Sequence, residues 1–366
     1  MRFTISRDML IKPLQTVGGV VEKRQTLPIL ANVLVQVGAD KLSMTGTDLE
    51  VELVASVPLQ GAEGGEITLP GRKFMDICRA LPESAQIDIS VDGDKALIKA
   101  GKSRFTLTTL PASDFPSTEA IKGTFEFEMP QGELKSLIEQ TQFSMANQDV
   151  RYYLNGILLE LENGAIRMVA TDGHRLALSE LSNELAVGDK RQVIIPRKGV
   201  LELSRLLSSE NDPCKVQLNQ NHIRITMGDI IFTSKLVDGR FPDYERVIPK
   251  GGDKVVVADR LVLKEGLQRT AILSNEKYRG IRLTFKNNML HAAVNNPEHE
   301  EAEDELPIEY SGTDLEIGFN VTYVLDVLNV IKQGNIEIIL SDANSSCLIK
   351  GAGDSASRYV VMPMRL

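Results

Sequence analysis

The sequence predicts an α+β fold made of three tandem copies of one unit, each a sheet with two helices on one face. A repeated anchor, strand periodicity before it and helical periodicity after it predict this together. The anchors close the stretches L-S-M-T-G-T-D at Asp48, I-R-M-V-A-T-D at Asp172 and L-H-A-A-V-N-N at Asn296, 124 residues apart both times. A chain of 366 residues, 42% of them hydrophobic, has the length for two to three domains with cores of their own.

The elements of the unit follow in order. Near the start of each copy, Asp8 to Val17, Gln131 to Phe143 and Arg260 to Leu273 read as amphipathic helices. Next comes a strand with apolar residues two apart: Val33, Val35 and Val37, then Ile157, Leu159 and Leu161, then Ile281, Leu283 and Phe285. Each meets a turn, Gly38-Ala39-Asp40, Glu162-Asn163-Gly164 or Lys286-Asn287-Asn288, and a second strand runs on to the anchor, so one hairpin is written three times. A second helix, Gly71 to Leu81 in the first copy, places Phe74, Ile77 and Leu81 on one face; Val200, Leu203 and Leu207 and then Val324, Val327 and Ile331 repeat it. An acid recurs on each: Asp76, Glu202, Asp326. Late in the unit, Leu97-Ile98-Lys99 returns as Leu348-Ile349-Lys350, and Phe105-Thr106 with Phe115-Pro116 returns as Phe232-Thr233 with Phe241-Pro242. Segments rich in Gly, Ser, Thr and Lys after Pro116 and Pro249 precede new strands, which places the domains at 1–121, 122–250 and 251–366.

Composition narrows the function classes. No stretch approaches the roughly 20 apolar residues of a membrane span, and the N-terminus lacks the apolar core of a signal peptide, so the chain is expected in the cytoplasm with no membrane partner. Cys78, Cys214 and Cys347 are odd in number and far apart, which argues against a disulfide framework or a zinc site. The net charge of -9 repels nucleic acid in bulk, so any DNA contact must come from Lys and Arg gathered on one face. Such a gathering recurs with the repeat: Arg72, Lys73 and Arg79 accompany the second helix of the first unit, and Arg197, Lys198 and Arg205 that of the second. Phosphate contacts of this kind bind without reading sequence and weaken with salt.

Several longer motifs carry a resemblance. Thr26-Leu-Pro-Ile-Leu, Gly46-Thr-Asp-Leu-Glu, Thr109-Leu-Pro-Ala-Ser-Asp-Phe-Pro, Gln148-Asp-Val-Arg-Tyr-Tyr-Leu-Asn-Gly, Thr171-Asp-Gly-His-Arg-Leu and the terminal Val361-Met-Pro-Met-Arg-Leu resemble the β subunits of bacterial DNA polymerase III, the sliding clamps, most closely in their proteobacterial form. The likeness runs the whole length of the chain. It implies a head-to-tail homodimer in which six similar domains close a ring around duplex DNA, sheets outside and helices lining the hole. The activity implied is that of a non-catalytic processivity factor without cofactor or metal. The partners implied are duplex DNA, the alpha subunit of DNA polymerase III and other DNA polymerases, the clamp-loader complex, ligase and mismatch-repair proteins.

The resemblance also assigns residues. Arg24 and Gln148 match DNA-touching loop positions, and Tyr152 and Tyr153 follow directly with rings able to stack on a base, although a tyrosine pair on a strand is more often half-buried core. The peptide pocket maps to Leu154, Thr171, Gly173, His174, Arg175, Leu176, Pro242, Arg246 and Val247, and further to Tyr323, Ser346, Val360, Met362, Pro363, Met364 and Arg365. Without the resemblance, the end of the chain reads equally as a last core strand stopped by a proline. For the dimer, Lys102, Arg104, Phe105 and Leu107 oppose Ile272, Leu273 and an acidic run holding six acids in eight residues: Glu298, Glu300, Glu301, Glu303, Asp304 and Glu305. An isolated acidic run would otherwise read as a solvated face.

Two other readings differ in class. Asp172, His174 and Arg175 suggest a hydrolase, but no GxSxG element accompanies them, and Asp48 repeats Asp172 with no histidine beside it, which makes the aspartate a turn feature. No GxxxxGK[ST] loop is present to hold a nucleotide, and His291 and His299 read as surface histidines. The other reading is a repeat-domain scaffold that binds peptides without encircling DNA.

Overall fold

The computed structural model describes residues 1–21, 27–116 and 125–365. One order of elements, strand, helix, four strands, helix, three strands, is run through three times. The first repeat holds β1 (Arg2–Ser6), α1 (Arg7–Gly18), β2 (Asn32–Val37), β3 (Lys41–Thr47), β4 (Val51–Pro58), β5 (Gly65–Pro70), α2 (Gly71–Ala80), β6 (Gln86–Asp92), β7 (Lys95–Ala100) and β8 (Ser103–Thr108). The second holds β9 (Phe125–Pro130), α3 (Gln131–Glu139), β10 (Gly156–Glu162), β11 (Ala165–Thr171), β12 (Arg175–Ser182), β13 (Arg191–Pro196), α4 (Arg197–Leu206), β14 (Pro213–Leu218), β15 (His222–Met227) and β16 (Ile230–Lys235). The third holds β17 (Lys254–Asp259), α5 (Arg260–Thr270), β18 (Gly280–Lys286), β19 (Met289–Asn295), β20 (Glu301–Pro307), β21 (Leu315–Asn320), α6 (Val321–Val330), β22 (Asn335–Leu340), β23 (Cys347–Gly351) and β24 (Ser357–Val361).

Local chemistry starts and stops these helices. Asp259 accepts from the backbone N–H of Leu261 and Val262 to open α5, and Asn320 accepts from Thr322 and Tyr323 to open α6, satisfying donors that a first helical turn leaves free. Two helices are shorter than the apolar spacing predicts. α3 stops at Glu139 and is followed by a 3-10 turn at Gln142–Ser144, and α5 stops at Thr270 before a 3-10 turn at Ala271–Leu273. Thr141 and Thr270 donate their hydroxyls to the carbonyls of Leu137 and Gly266, four residues back, and the closing turns tighten.

The strands of each repeat divide between two sheets, where the sequence suggests one. In a first compact unit, 1–134 with 198–236, β1-β6-β7-β8 form a four-stranded sheet and β5-β2-β3-β4-β16-β15-β14-β9 an eight-stranded one. In a second unit, 135–197 with 237–366, the order β13-β10-β11-β12-β24-β23-β22-β17 makes eight strands and β20-β19-β18-β21 makes four. The middle repeat is shared because main-chain hydrogen bonds cross between repeats: β4 pairs antiparallel with β16 and β12 with β24. Periodicity in one chain cannot reveal such a pairing, since it reports which face a residue takes and not which strand lies alongside.

The repeated apolar positions build the cores. In the first unit Leu10, Leu14 and Val17 of α1 and Phe74 and Cys78 of α2 are buried; in the second, Leu263 and Leu267 of α5 pack with Val324, Val327 and Leu328 of α6 over Ile281, Leu283 and Phe285. Gly46 on β3 lets α1 approach closely, since a Cβ there would lie 2.7 Å from the Val17 carbonyl oxygen. The three cysteines are free and buried, and burial pushes the thiols of Cys214 and Cys347 up to about 11 and about 12. Among the described residues no helix is long and apolar enough to cross a membrane.

Candidate functional site

A cavity of about 210 Å³ in the second unit gathers most of the residues expected to form a peptide pocket. Its walls come from the 3-10 turn Tyr152–Leu154, the end of β11, the start of β12, the segment around the 3-10 turn Tyr244–Arg246, and the end of β24. Leu154, Thr171, Gly173, Arg175, Leu176, Pro242, Val247, Val360 and Met362 all line it. Three further lining residues escape the pocket assignment: Arg151, Tyr153 and Tyr244. Tyr153, expected at DNA, therefore faces this cavity, and the tyrosine pair sits in a 3-10 turn and not on a strand. Arg151 and Tyr153 lie inside a quoted motif, so proximity in sequence could have found them; Tyr244 had no signal beyond standing between Pro242 and Arg246.

The anchor turn shapes one wall. Asp172 Oδ1 accepts from the backbone of His174 and Arg175 at 2.9 and 3.1 Å, while Thr171 Oγ1 donates to the Arg175 carbonyl at 2.6 Å. Gly173 takes φ +90, and a Cβ on it would lie 2.9 Å from the Arg151 guanidinium. The other anchors do the same work: Asp48 accepts from Glu50 and Val51, and Asn296 accepts from Glu298 and Glu300. The side chain is in each case a turn former.

Also on the cavity wall, Tyr244 is buried and donates its hydroxyl to Glu160 at 2.7 Å. Glu160 also receives Gln192, Lys190 and Arg167. Burial alone would raise the Glu160 carboxyl, but the hydrogen bonds from Gln192, Tyr244, Lys190 and Arg167 outweigh it and hold the group below its ordinary range. Burial, and then the bond to Glu160, push the Tyr244 phenol up.

Not all the expected pocket residues converge. His174 is exposed at the turn, and Arg246 projects into solvent against Asp243 at 2.7 Å. Ser346 and Pro363 lie outside the cavity walls, and Met364 and Arg365 line a wider cavity of about 630 Å³ with Tyr278, Arg282, Glu301 and Glu303. Tyr323 stands behind the pocket, its ring centroid 4.4 Å from the Arg175 guanidinium carbon.

The basic residues also divide. Arg72, Lys73 and Arg79 are exposed along α2 and carry no ion pair among the described residues. The corresponding set in the second repeat makes bonds within the protein, with Arg205 exposed and Arg197 and Lys198 half-buried. Lys198 pairs with the buried Asp48 carboxylate, Arg205 pairs with Glu202 at 2.8 Å and donates to the Thr16 carbonyl at 3.0 Å, and Arg197 donates to the Met145 carbonyl at 3.3 Å. Gln148 is exposed at φ +56 in a loop pinned by Asp149, which accepts from the backbone and guanidinium of Arg151. Those bonds hold the Asp149 carboxyl down at about 2. Tyr152 is 57% exposed beside it, and Arg24 lies outside the described residues.

Models of the DNA polymerase III beta subunit match the chain three times: its N-terminal domain over 1–119, its central domain over 128–243 and its C-terminal domain over 245–365. The chain belongs to the DNA polymerase III β-subunit family. It is 59% identical to the beta sliding clamp of Pseudomonas aeruginosa across 100% of both chains. The crystal structure of the DNA polymerase III subunit beta from that organism superposes with a TM-score of 0.98 at 59% identity over 100% of both chains. A P. aeruginosa sliding clamp bound to griselimycin superposes at 0.97, with the same identity and coverage.

In this sliding-clamp chain the residues expected at a dimer interface lie on two sheet edges. β8, carrying the exposed Arg104 with Lys102 just before it, is the outer strand of the four-stranded sheet in the first unit. β20, carrying the exposed Glu301, Glu303 and Glu305, is the outer strand of the four-stranded sheet in the second. Ile272 is 76% exposed, Leu273 is half-buried, and Glu298 and Glu300 are exposed in the anchor loop. Phe105 and Leu107, two apart on β8, share one face of the strand; Leu107 is buried within the chain and Phe105 is half-buried. Asp304 already receives Arg269 at 2.7 Å within the chain.

Proposed function

We propose that two copies of this chain join head to tail into a ring that encircles duplex DNA, slides on it without reading sequence, and tethers DNA polymerases by a short peptide held in the 210 Å³ cavity. The protein acts as a processivity factor and not as an enzyme. Domains bounded at 1–121, 122–250 and 251–366 are the units of this ring.

The observation that carries the reading is the set of strand edges left open among the described residues. Within the chain, the fourth strand of one repeat pairs antiparallel with the eighth strand of the next, β4 with β16 and β12 with β24. The equivalent strands left over are β20 and β8, each an edge. An exposed edge invites a further strand, and unlike surfaces that complement each other associate head to tail until they close. Lys102 and Arg104 on one edge and Glu301, Glu303 and Glu305 on the other set the partner and direction, while Phe105, Ile272 and Leu273 supply apolar area. Arg72, Lys73 and Arg79 on α2 offer phosphate contacts. The cavity is apolar with a few fixed polar groups, which suits a linear peptide motif. The partners that the family suggests are the alpha subunit of DNA polymerase III, other polymerases, the clamp loader, ligase and mismatch-repair proteins.

Loading onto nicked circular DNA, followed by linearisation, tests the whole. The clamp stays on the circle at high salt and runs off the linear product. A peptide-binding scaffold that does not encircle DNA shows no dependence on linearisation, and that outcome would remove the ring.

A further inference from the structure

The acid that recurs on the second helix of every repeat has no part in the function proposed above. In the first unit Glu202 is met by Arg205 from its own helix. Asp326 on α6 behaves differently: its Oδ2 accepts from Arg175 Nη1 at 2.6 Å, reaching the first residue of β12 in the preceding repeat. Arg175 lines the cavity and Asp326 does not.

The Arg175 guanidinium is held from several sides. Nε donates to Asp172 at 3.0 Å, Nη2 to the Phe143 carbonyl at 2.7 Å, and the Tyr323 and Phe143 rings lie 4.4 and 5.4 Å from its central carbon. Only 11% of the side chain is exposed, so little water is available to replace a lost partner. Asp172 is already committed to its turn, accepting two backbone N–H groups. Asp326 is the carboxylate with no such duty, and it comes from another repeat.

We infer that Asp326 is a positioning residue for the peptide cavity: it touches no ligand but locks Arg175 in the rotamer that forms the wall, so that the groove in the second repeat is completed by α6 of the third. This rests on the reading of the cavity as the ligand groove. A guanidinium fixed before binding loses less conformational freedom when the ligand arrives. Without Asp326, Nη1 has lost its acceptor, and the side chain turns toward the cavity or solvent to find another.

Griselimycin, the compound bound to the P. aeruginosa clamp, serves as the probe in calorimetric titrations of the full chain. Asp326→Asn is expected to weaken binding about tenfold, the scale of one charge-assisted hydrogen bond. Asp326→Glu recovers part of that loss. In an Arg175→Ala background, Asp326→Asn has no further effect, because the two act as one unit. A purely structural role for Asp326 in α6 would instead give equal losses in both backgrounds, and that result, or wild-type affinity in Asp326→Asn, overturns the inference. Leu176→Asp, inside the cavity, separates the two levels. If it leaves binding intact, the cavity reading fails and the inference with it; if it abolishes binding while Asp326→Asn does not, only the inference fails.

Discussion

The phenolic oxygen of Tyr244 lies 2.7 Å from Glu160 Oε1 and donates to it, which ties a cavity wall to a buried carboxylate of β10. Removing the hydroxyl with Tyr244→Phe keeps the ring in the wall and deletes the bond. The expected cost is about 1.5–3 kcal/mol of unfolding free energy, the range for a bond to a charged acceptor. Glu160 is held below its ordinary range, so its contribution is present at neutral pH and is lost as pH falls through its folded value. With one donor gone that folded value rises. The acid unfolding midpoint of Tyr244→Phe, followed by circular dichroism, is therefore expected above that of the parent; coincident midpoints would detach Tyr244 from this network.

Gly173→Ala is expected to strain the anchor turn. Its φ of +90 disfavours any side chain, and the new Cβ would displace the Arg151 guanidinium from 2.9 Å. The backbone alone costs about 1–3 kcal/mol, readable as a lower urea midpoint with an unchanged slope. Gly164→Ala, also at positive φ but with nothing closer than 3.9 Å, isolates the backbone part, and a smaller loss is expected there.

The two basic sets should separate in a salt titration of DNA binding by fluorescence anisotropy. Each of Arg72→Ala, Lys73→Ala and Arg79→Ala lowers the slope of log affinity against log salt by about 0.9, the counterion released per phosphate contact. Lys198→Ala leaves the slope unchanged and lowers thermal stability instead, because it strips the partner from the buried Asp48 carboxylate. A slope reduced by Lys198→Ala would return that residue to the DNA face.

The dimer edge is tested with Ile272→Ala combined with Leu273→Ala, expected to sediment as a folded monomer. Leu107→Ala, at a buried position, is expected to destabilise the first unit by about 2–5 kcal/mol, as a core truncation does. An unchanged dimer in the Ile272/Leu273 double variant would move the interface elsewhere.

Much of the fold was legible because it repeats. Val33, Ile157 and Ile281 begin equivalent strands, and Phe74, Val200 and Val324 begin the buried faces of equivalent helices, so each copy checked the others. Asp48 and Asp172 read as turn formers for the same reason, and both accept the backbone hydrogen bonds that such a turn needs. The candidate site was legible only in part. Nine residues assigned to the pocket do line the cavity, but Tyr244 was missed and Tyr153 assigned elsewhere, because a 3-10 turn carries no periodicity to show which way its side chains point.

The sequence by itself determined the number of units, the hairpin and the two helices that recur in each, and the three-fold turn chemistry, since these depend on residues near one another along the chain. Tertiary structure alone decided which edges pair and which charges are free. Lys198 and Lys73 look alike as letters beside a helix, yet one reaches back to Asp48, 150 residues away, and the other stands exposed. The outer edges left open among the described residues on β8 and β20 are likewise a consequence of β4 meeting β16 and β12 meeting β24. The physical reason is common to both: hydrogen bonds and ion pairs between distant segments depend on where the backbone brings them, and the period of a local pattern holds no information about that.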